Sequence, residues 1–519
     1  MSAWKRAVFP LVIYAWALAW ILSRHFPHLP ASYDSTYYLV SAKGFATGEY
    51  YKDFSTPDPH MGALLGPSFY PLLLSLYWRF LDPHLLALQI LTAMVMAAAP
   101  VMAFFWLRLW LEPILALLIS LAFGSSYMFI VLGNSFMTEV VFTPLLYAGM
   151  WLTYRSLQAG ESRRNAGENR RNGSLGWIAM LLWVMLARTR VVGWIFFAVF
   201  SGLAAKGRRW LLLGAGLALA GAWVALERIM AIGAQATTYL GGMFTKTYPI
   251  EVDFWKGLRI WGAEVWHNIH SFTTSICAHI LFPFFYDLME MNKAKRLACL
   301  AVFLWTLWGA CVTWLRWKDL RPWLAAALLA SLPTLLIFLT NDSFRYHVPY
   351  FPFFAFFFVA PFLRMGESSP SAWKKKLPLF ACLAILVSQS LHALDHDFDT
   401  EFITMPKEFD AIHDSLLATP GRPDICLSPV NYYTYLRTGI PSLQNQGKHE
   451  LEYVTGLSRG KEVWAICGPN NDYLCEDWER KGVVLENPPL KRAGDWRLHR
   501  VLAWPGDSPG SPRGDSRPK

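Results

Sequence analysis

Asp34 stands near the head of the stretch YDSTYYLVSAKGFATG, a few residues beyond an apolar run, and a carboxylate there can do two kinds of work. It can cap a helix, its oxygens accepting backbone N–H bonds of the first turn, with Gly48 as the stop at the far end. It can also act as a general base, because a carboxylate at a membrane edge, near the positive end of a helix, stays ionised and accepts a proton from a bound hydroxyl. Glu139, in NSFMTEVVF at the start of another apolar run, offers the same choice between complementing a helix dipole and taking part in chemistry. Arg345, in DSFRYHV, either pairs with Asp342, snorkels to lipid headgroups or holds an anion. His267, His270 and His347 read as interfacial side chains, not ligands. Walker A, dinucleotide-binding glycine run, GxSxG and HExxH are all missing. The sequence calls for no cofactor, assigns no metal ligands and leaves a metal requirement open.

The elements that must position these groups are membrane helices. The chain has 519 residues, 54% hydrophobic and only 16% charged, where a soluble protein carries about 25% charged residues. Apolar runs of about 17–25 residues, the length that spans a bilayer, fall near 7–24, 86–109, 113–132, 138–156, 210–230, 297–315, 321–340, 346–363 and 377–394. The run 176–205 has basic residues on both sides, Arg163, Arg164, Arg170 and Arg171 before it and Lys206, Arg208 and Arg209 after it. The positive-inside rule puts both flanks in the cytoplasm, so this run crosses twice and turns at ARTR, with Arg188 and Arg190 near the outer face. About eleven crossings result. The N-terminus is cytoplasmic in this scheme, and the chain after 394 is external. Net charge is +10, but the basic residues lie in short clusters between apolar runs, which is a topology signal and gives no nucleic-acid surface. The segment 272–288 is apolar enough to cross; one crossing would break the parity, so it is expected to lie in the interface or dip in and out.

Residues 1–394 thus form a transmembrane module with external loops at 25–85 and 231–296. Residues 395–503 form a small external α/β domain, in which helix patterns (FDAIHDSLLAT, NYYTYLRTG) alternate with strand-like runs (DICLS, EVWAICG, GVVLEN, WRLHRVLAW). Residues 504–519 read as a disordered Pro/Gly/Ser/Arg tail. Of seven cysteines, Cys467 and Cys475 frame the turn-rich GPNNDYL and are expected to be bridged in an exported domain.

Four pieces of sequence resemble, in order, elements of the GT-C membrane glycosyltransferases, closest to the branch with protein O-mannosyltransferases and lipid A aminoarabinose transferases. Asp34-Ser35-Thr36-Tyr37-Tyr38 resembles that branch's Asp-Glu-x-x-Tyr motif, with serine where glutamate is usual, and FYPLLLSL, with Tyr70 and Pro71, resembles its Tyr-Pro-Leu element. NSFMTEVVFTPLL resembles the family's second external loop, with an acidic residue at Glu139. LARTRVVGWIFF, with Arg190 and Gly193, and NDSFRYHVPYFPFF, with Arg345, Tyr346 and Pro349, resemble the family's later turn and Arg-Tyr-x-x-Pro element. The resemblance covers about residues 7–363.

The resemblance implies a sugar donor linked to a polyprenyl phosphate, and an acceptor hydroxyl on a glycolipid, polysaccharide or protein. It implies Asp34 as general base, Glu139 as a second carboxylate that positions the acceptor or assists, and a cation on the leaving phosphate. The basic residue that the aminoarabinose transferases carry before the Tyr-Pro element is replaced here by PDPHMGALLGPS, which offers only His60; Arg345, Arg190 and Lys43 are the other candidates. Tyr38 and Tyr346 lie in the same elements and are expected at the substrate. The resemblance also implies a multi-pass protein of the plasma (inner) membrane. A transporter or flippase of lipid-linked sugars is the alternative. It is disfavoured because transporters carry inverted repeats and midplane charges, whereas here no repeat is visible and the charges collect toward one face.

Overall fold

The computed structural model describes residues 3–24, 33–48, 68–80, 85–166, 173–206, 209–230, 254–288, 293–336, 346–368, 371–395, 407–428, 431–443, 461–468, 479–480 and 482–504. His60, Asp342, Arg345, Cys475 and the tail after Trp504 lie outside them, and of Asp34 only the helical backbone is described.

In hydrocarbon every backbone N–H and C=O must be bonded within its own segment, so the apolar runs become helices. In chain order the described helices are α1 (Ala3–Ser23), α2 (Tyr33–Thr47), α3 (Phe69–Phe80), α4 (Leu85–Leu107), α5 (Pro113–Gly124), α6 (Tyr127–Gly133), α7 (Glu139–Ala166), α8 (Gly173–Thr189), α9 (Gly193–Lys206) and α10 (Trp210–Met230). They continue with α11 (Phe254–Ser271), α12 (Cys277–Leu281), α13 (Pro283–Leu288), α14 (Lys293–Arg316), α15 (Arg321–Leu336), α16 (Phe351–Glu367) and α17 (Ala372–Asp395). Among the described residues, five helices are long and apolar enough to cross a membrane, 86–107, 210–227, 293–316, 348–367 and 372–395, and six if α5 and α6 are counted as one bent span. Ala7–Ser23, Ser174–Thr189 and Gly193–Lys206 are shorter apolar helices.

Two segments differ from the simplest reading of the sequence. The run 113–132, expected as one crossing, is α5 and α6 set at 60° to each other. At the break, Ser125 Oγ donates back to the carbonyls of Leu121 and Ala122 at 3.2 and 3.3 Å, and Ser126 turns extended (φ −69°, ψ 136°). The run 272–288 is a π-helical turn (Phe272–Ile276), then α12 and α13, kinked at Phe282 (φ −135°, ψ 58°). No single helix runs its length. Gln389 of α17 anchors the kink, donating to the carbonyls of Ile280 and Leu281 at 2.6 and 3.2 Å.

Helix ends sort into two sets. At one end, Arg24 after α1 donates to the carbonyls of Ala393 and Leu394 in α17, both at 3.0 Å, and Asn134 after α6 donates to Ile21 O at 3.1 Å. At the other, Arg316 closing α14 pairs with Glu367 closing α16, and Arg209 before α10 donates to Ser156 O in α7 at 2.7 Å. Between them the helices pack closely. A Cβ on Gly309 of α14 would run into the carbonyl of Phe357 in α16, and Trp305 Nε1 donates to Phe358 O at 2.9 Å along the same seam.

The C-terminal part is built on a six-stranded mixed sheet: β1 (Ile425–Leu427), β2 (Ser442–Leu443), β3 (Val463–Cys467), β4 (Val484–Leu485), β5 (Lys491–Ala493) and β6 (Trp496–Ala503). The order is β2-β1-β3-β6-β4, with β5 also on β6. β1 runs parallel to β2 and β3, and β6 antiparallel to β3. The helix-strand alternation in sequence is the helix-strand alternation in space: α18 (Lys407–Ala418) and α19 (Asn431–Thr438) cover the sheet, with Phe409 seated 4.4 Å from Trp496, ring centroid to centroid. Cys467 is disulfide-bonded.

This part rests on α2. Lys43 Nζ donates to Tyr435 Oη of α19 at 2.9 Å and lies 4.8 Å from that ring's centroid. Val40 and Tyr435 bury each other, with Tyr37 and Leu436 packed alongside. Arg79 of α3 donates to Ala46 O at 3.1 Å and holds the other end of α2.

Candidate functional site

Segments far apart in sequence converge at the end where α1 and α17 meet. Glu139 is the first residue of α7 and is only 2% exposed. Its Oε1 is 2.7 Å from Arg190 Nη1, and Thr138 donates to its Oε2 at 3.1 Å. A carboxylate this buried is tolerated when a cation and hydrogen bonds compensate it; Arg190 is that cation. The guanidinium in turn lies 5.0 Å from the ring centroid of Tyr346 and 5.7 Å from that of Phe142, within the range of cation–π attraction.

Arg190 is aimed by a tight turn between α8 and α9. Its own N–H donates to Leu186 O at 3.3 Å, and Gly193 N–H donates to Arg190 O at 2.9 Å. Glycine is required at 193 because a Cβ there would overlap the carbonyl of Leu186. Tyr346 sits at the head of the segment entering α16, where Tyr147 Oη donates to Pro349 O at 2.6 Å and fixes the backbone.

Two tyrosines close the group from the first loop. Tyr38 of α2 meets Tyr70 of α3 edge to face, 5.6 Å between centroids. Burial, and then the negative charge of Glu139, hold the Tyr70 phenol far above its ordinary pKa, so Tyr70 stays a neutral hydroxyl. Asp34 lies in the first turn of α2, four residues before Tyr38, and positions i and i+4 share a helix face. Ser35 and Thr36 beside it are fully buried.

The structure thus brings Tyr38, Glu139, Arg190 and Tyr346 together with Tyr70. Lys43 is engaged by Tyr435 of the C-terminal part. His347 corrects the sequence reading: it is 1% exposed, not interfacial, with its ring 5.2 Å from Phe272 and 6.2 Å from Phe354. His267 and His270 are exposed, as an interfacial helix face would leave them.

Sequence reasoning missed a second buried pair. Arg188 donates to Glu227 near the end of α10, and Ser68, just before α3, donates to the same carboxylate. Trp223 Nε1 donates to Ser68 Oγ at 3.0 Å. The available signal was a lone acidic residue closing an apolar helix at the end that carries an arginine.

This architecture defines a class. A bundle of apolar helices, loop helices at one end and a small terminal sheet give a fold shared with solved membrane proteins, and the five or six helices long and apolar enough to cross a bilayer, among the described residues, are those of a multi-pass membrane protein. The chain is similar to the archaeal oligosaccharyltransferase AglB from Archaeoglobus fulgidus in complex with an inhibitory peptide and a dolichol-phosphate, with a TM-score of 0.55 and 11% identity over 89% of this chain and 70% of that one. It is also similar to ArnT from Cupriavidus metallidurans bound to undecaprenyl phosphate, with a TM-score of 0.51 and 12% identity over 98% of this chain and 100% of that one. No protein-family model and no curated protein sequence matches the chain.

Proposed function

We propose that this protein is a glycosyltransferase that moves a sugar from a polyprenyl-phosphate donor to an acceptor hydroxyl at the external face of the membrane. The observation that carries this reading is the convergence of Tyr38, Glu139, Arg190 and Tyr346, from four separate segments, at one end of a GT-C bundle. Two solved structures of the same fold hold polyprenyl phosphates, dolichol-phosphate in one and undecaprenyl phosphate in the other. A donor of that kind keeps its tail among the helices and presents its phosphate and sugar at their ends.

In the proposed reaction the acceptor oxygen attacks the anomeric carbon while Asp34 takes its proton. The bond from that carbon to the phosphate oxygen breaks, and its electron pair leaves with the polyprenyl phosphate. Attack opposite the leaving group inverts the configuration. The leaving phosphate is already anionic, so one base suffices and a cation stabilises the charge. Arg190 suits that role: a guanidinium has five N–H donors in a fixed fork, more than one carboxylate takes up. Arg345 remains the alternative donor to the phosphate, with His60 behind it. Glu139, buried against Arg190, holds that guanidinium in place, and Tyr38 and Tyr346 wall the substrate. A flippase is disfavoured because the buried ion pairs gather at the helix ends, where a surface reaction needs them.

The eleven crossings belong to the same proposal. They are reached if the bent pair α5–α6, the three shorter apolar helices, α7 and α15 cross along with the five long helices. The basic residues Arg209, Arg316 and Arg321 collect at the end opposite the site, which the positive-inside rule assigns to the cytoplasm. The site end and the C-terminal sheet are then external, on an inner membrane. A reporter fused after residue 400 is expected to be active only on the external side; activity only in the cytoplasm would overturn the orientation.

Mass spectrometry of envelope glycolipids and glycoproteins from cells with and without the gene tests the function. Loss of one sugar from one acceptor is the expected result and names the acceptor. A lipid-linked sugar that accumulates untouched on the cytoplasmic side would instead support the flippase.

A further inference from the structure

At the same end of the bundle, away from the Glu139–Arg190 pair, three side chains from two distant segments meet. His279 lies on α12, Asp287 on α13, and His392 in the last turn of α17. Each offers one ligand atom, and the three atoms lie within 4.8 Å of one another. His392 Nδ1 is 2.9 Å from Asp287 Oδ2, and the two imidazole rings stand nearly perpendicular, 5.7 Å between centroids and 87°. We propose that His279, Asp287 and His392 bind a divalent transition-metal ion of the Zn²⁺ class, which clamps the kinked α12–α13 segment to the end of α17.

The donor set fits. Two imidazoles and a carboxylate are borderline ligands that favour Zn²⁺ and its neighbours over Mg²⁺ or Ca²⁺, which take oxygen. Bonds of about 2.0–2.2 Å at tetrahedral angles put ligand atoms roughly 3.3 Å apart. The 2.9 Å His392–Asp287 separation already matches within a few tenths of an ångström, and His279 has at most about 1.5 Å to close. Metal binding requires neutral imidazoles and an ionised carboxylate, so the hydrogen bond between His392 Nδ1 and Asp287 Oδ2 gives way to bonds to the ion.

The surroundings orient the rings, as a ligand shell must. His279 stacks on Tyr286 at 4.8 Å and 7°, and Tyr286 is itself held by a 2.7 Å hydrogen bond with Ser275. Tyr127 packs edge-on against His392 at 5.4 Å. Lys295 has its ammonium 3.7 Å from the centroid of the Tyr286 ring, and Arg24 is held by the carbonyls of Ala393 and Leu394 beside His392. His279 also lines a cavity of about 370 Å³ with Ser126, Tyr127, His347 and Gln389, which leaves room for water or another ligand in a fourth position. Three protein ligands with an open fourth place is a pattern zinc adopts. The clamp is independent of the sugar-transfer reading, since it joins structural segments and touches none of the residues proposed to meet substrate.

The test uses the full-length protein with a histidine-free affinity tag, purified in detergent and stripped with chelator. Titration with Co²⁺ is expected to give uptake of about one equivalent, the intense visible absorption of a four-coordinate ion, displacement by Zn²⁺, and a midpoint of thermal unfolding that rises with metal. His279→Gln and Asp287→Asn are each expected to lose the stoichiometric uptake and the metal-dependent rise. Wild-type protein that takes up no Co²⁺ above background overturns the site, and so does uptake that survives unchanged in either variant. The wild-type titration decides the question even if one variant does not fold.

Discussion

Asp34→Asn is expected to lower sugar transfer by roughly 10²–10⁴-fold, the usual scale for loss of a general base, while leaving expression, folding and donor binding nearly unchanged. Asparagine stabilises the start of a helix about as well as aspartate, so a residue present only to hold the first turn of α2 would tolerate the exchange. An amide cannot take a proton at neutral pH, so a base would not. Position 34 lies one turn before Tyr38 in α2, the helix whose Tyr38 meets Tyr70. Single-turnover transfer from a polyprenyl-phosphate sugar, measured beside donor binding, separates the two roles. Transfer at the normal rate in Asp34→Asn would return the residue to helix capping. Glu139→Gln is expected to cost less, because an amide can still accept from Arg190 and Thr138.

Arg190→Leu is expected to destabilise the protein by about 3–5 kcal/mol, the scale for removing one partner of a buried ion pair. The cost arises chiefly from Glu139, which would be left charged with its side chain only 3% exposed. Glu139→Gln keeps an oxygen toward the guanidinium and is expected to cost about 1–3 kcal/mol. In the double variant Glu139→Gln/Arg190→Leu no bare charge remains, so its loss should be smaller than the sum of the single losses. Thermal unfolding in detergent reads all three. Simple additivity, or an Arg190→Leu protein as stable as wild type, would mean that the two side chains do not compensate each other.

Much of this architecture was legible because a bilayer enforces it. Hydropathy and the placement of basic clusters located the helices and the turn at ARTR, since unsatisfied backbone cannot sit in lipid. The Gly48 and Gly439 stops were readable for a local reason: both residues adopt positive φ, 79° and 72°, which glycine does without strain. The bend at Ser125–Ser126 was not readable, because serine inside an apolar run more often returns its hydroxyl to the helix without breaking it. Of the site, Glu139 and Arg190 could be named separately, but their contact joins the start of α7 to the turn after α8 and depends on how the bundle closes. Glu227 escaped notice because one acid at a helix end carries no spacing pattern. His279, Asp287 and His392 escaped for the same reason: no motif relates residues on α12 and α13 to the end of α17. His347 was misplaced because its position at a segment head resembles an interfacial one, and only packing shows Phe272 and Phe354 enclosing it.

The contact between Lys43 and Tyr435 has a consequence for the order in which the molecule is completed. Lys43 of α2 is made 392 residues before Tyr435, so α2 is synthesised long before part of the surface that holds it. Glu139 and Arg190 can find each other as soon as α9 has entered the membrane. α2 must wait for α17 to be made and for the sheet after it to fold. A half-made chain can therefore hold the buried ion pair before α2 has the surface it rests on, and α2 is seated only once the sheet that carries Tyr435 has folded.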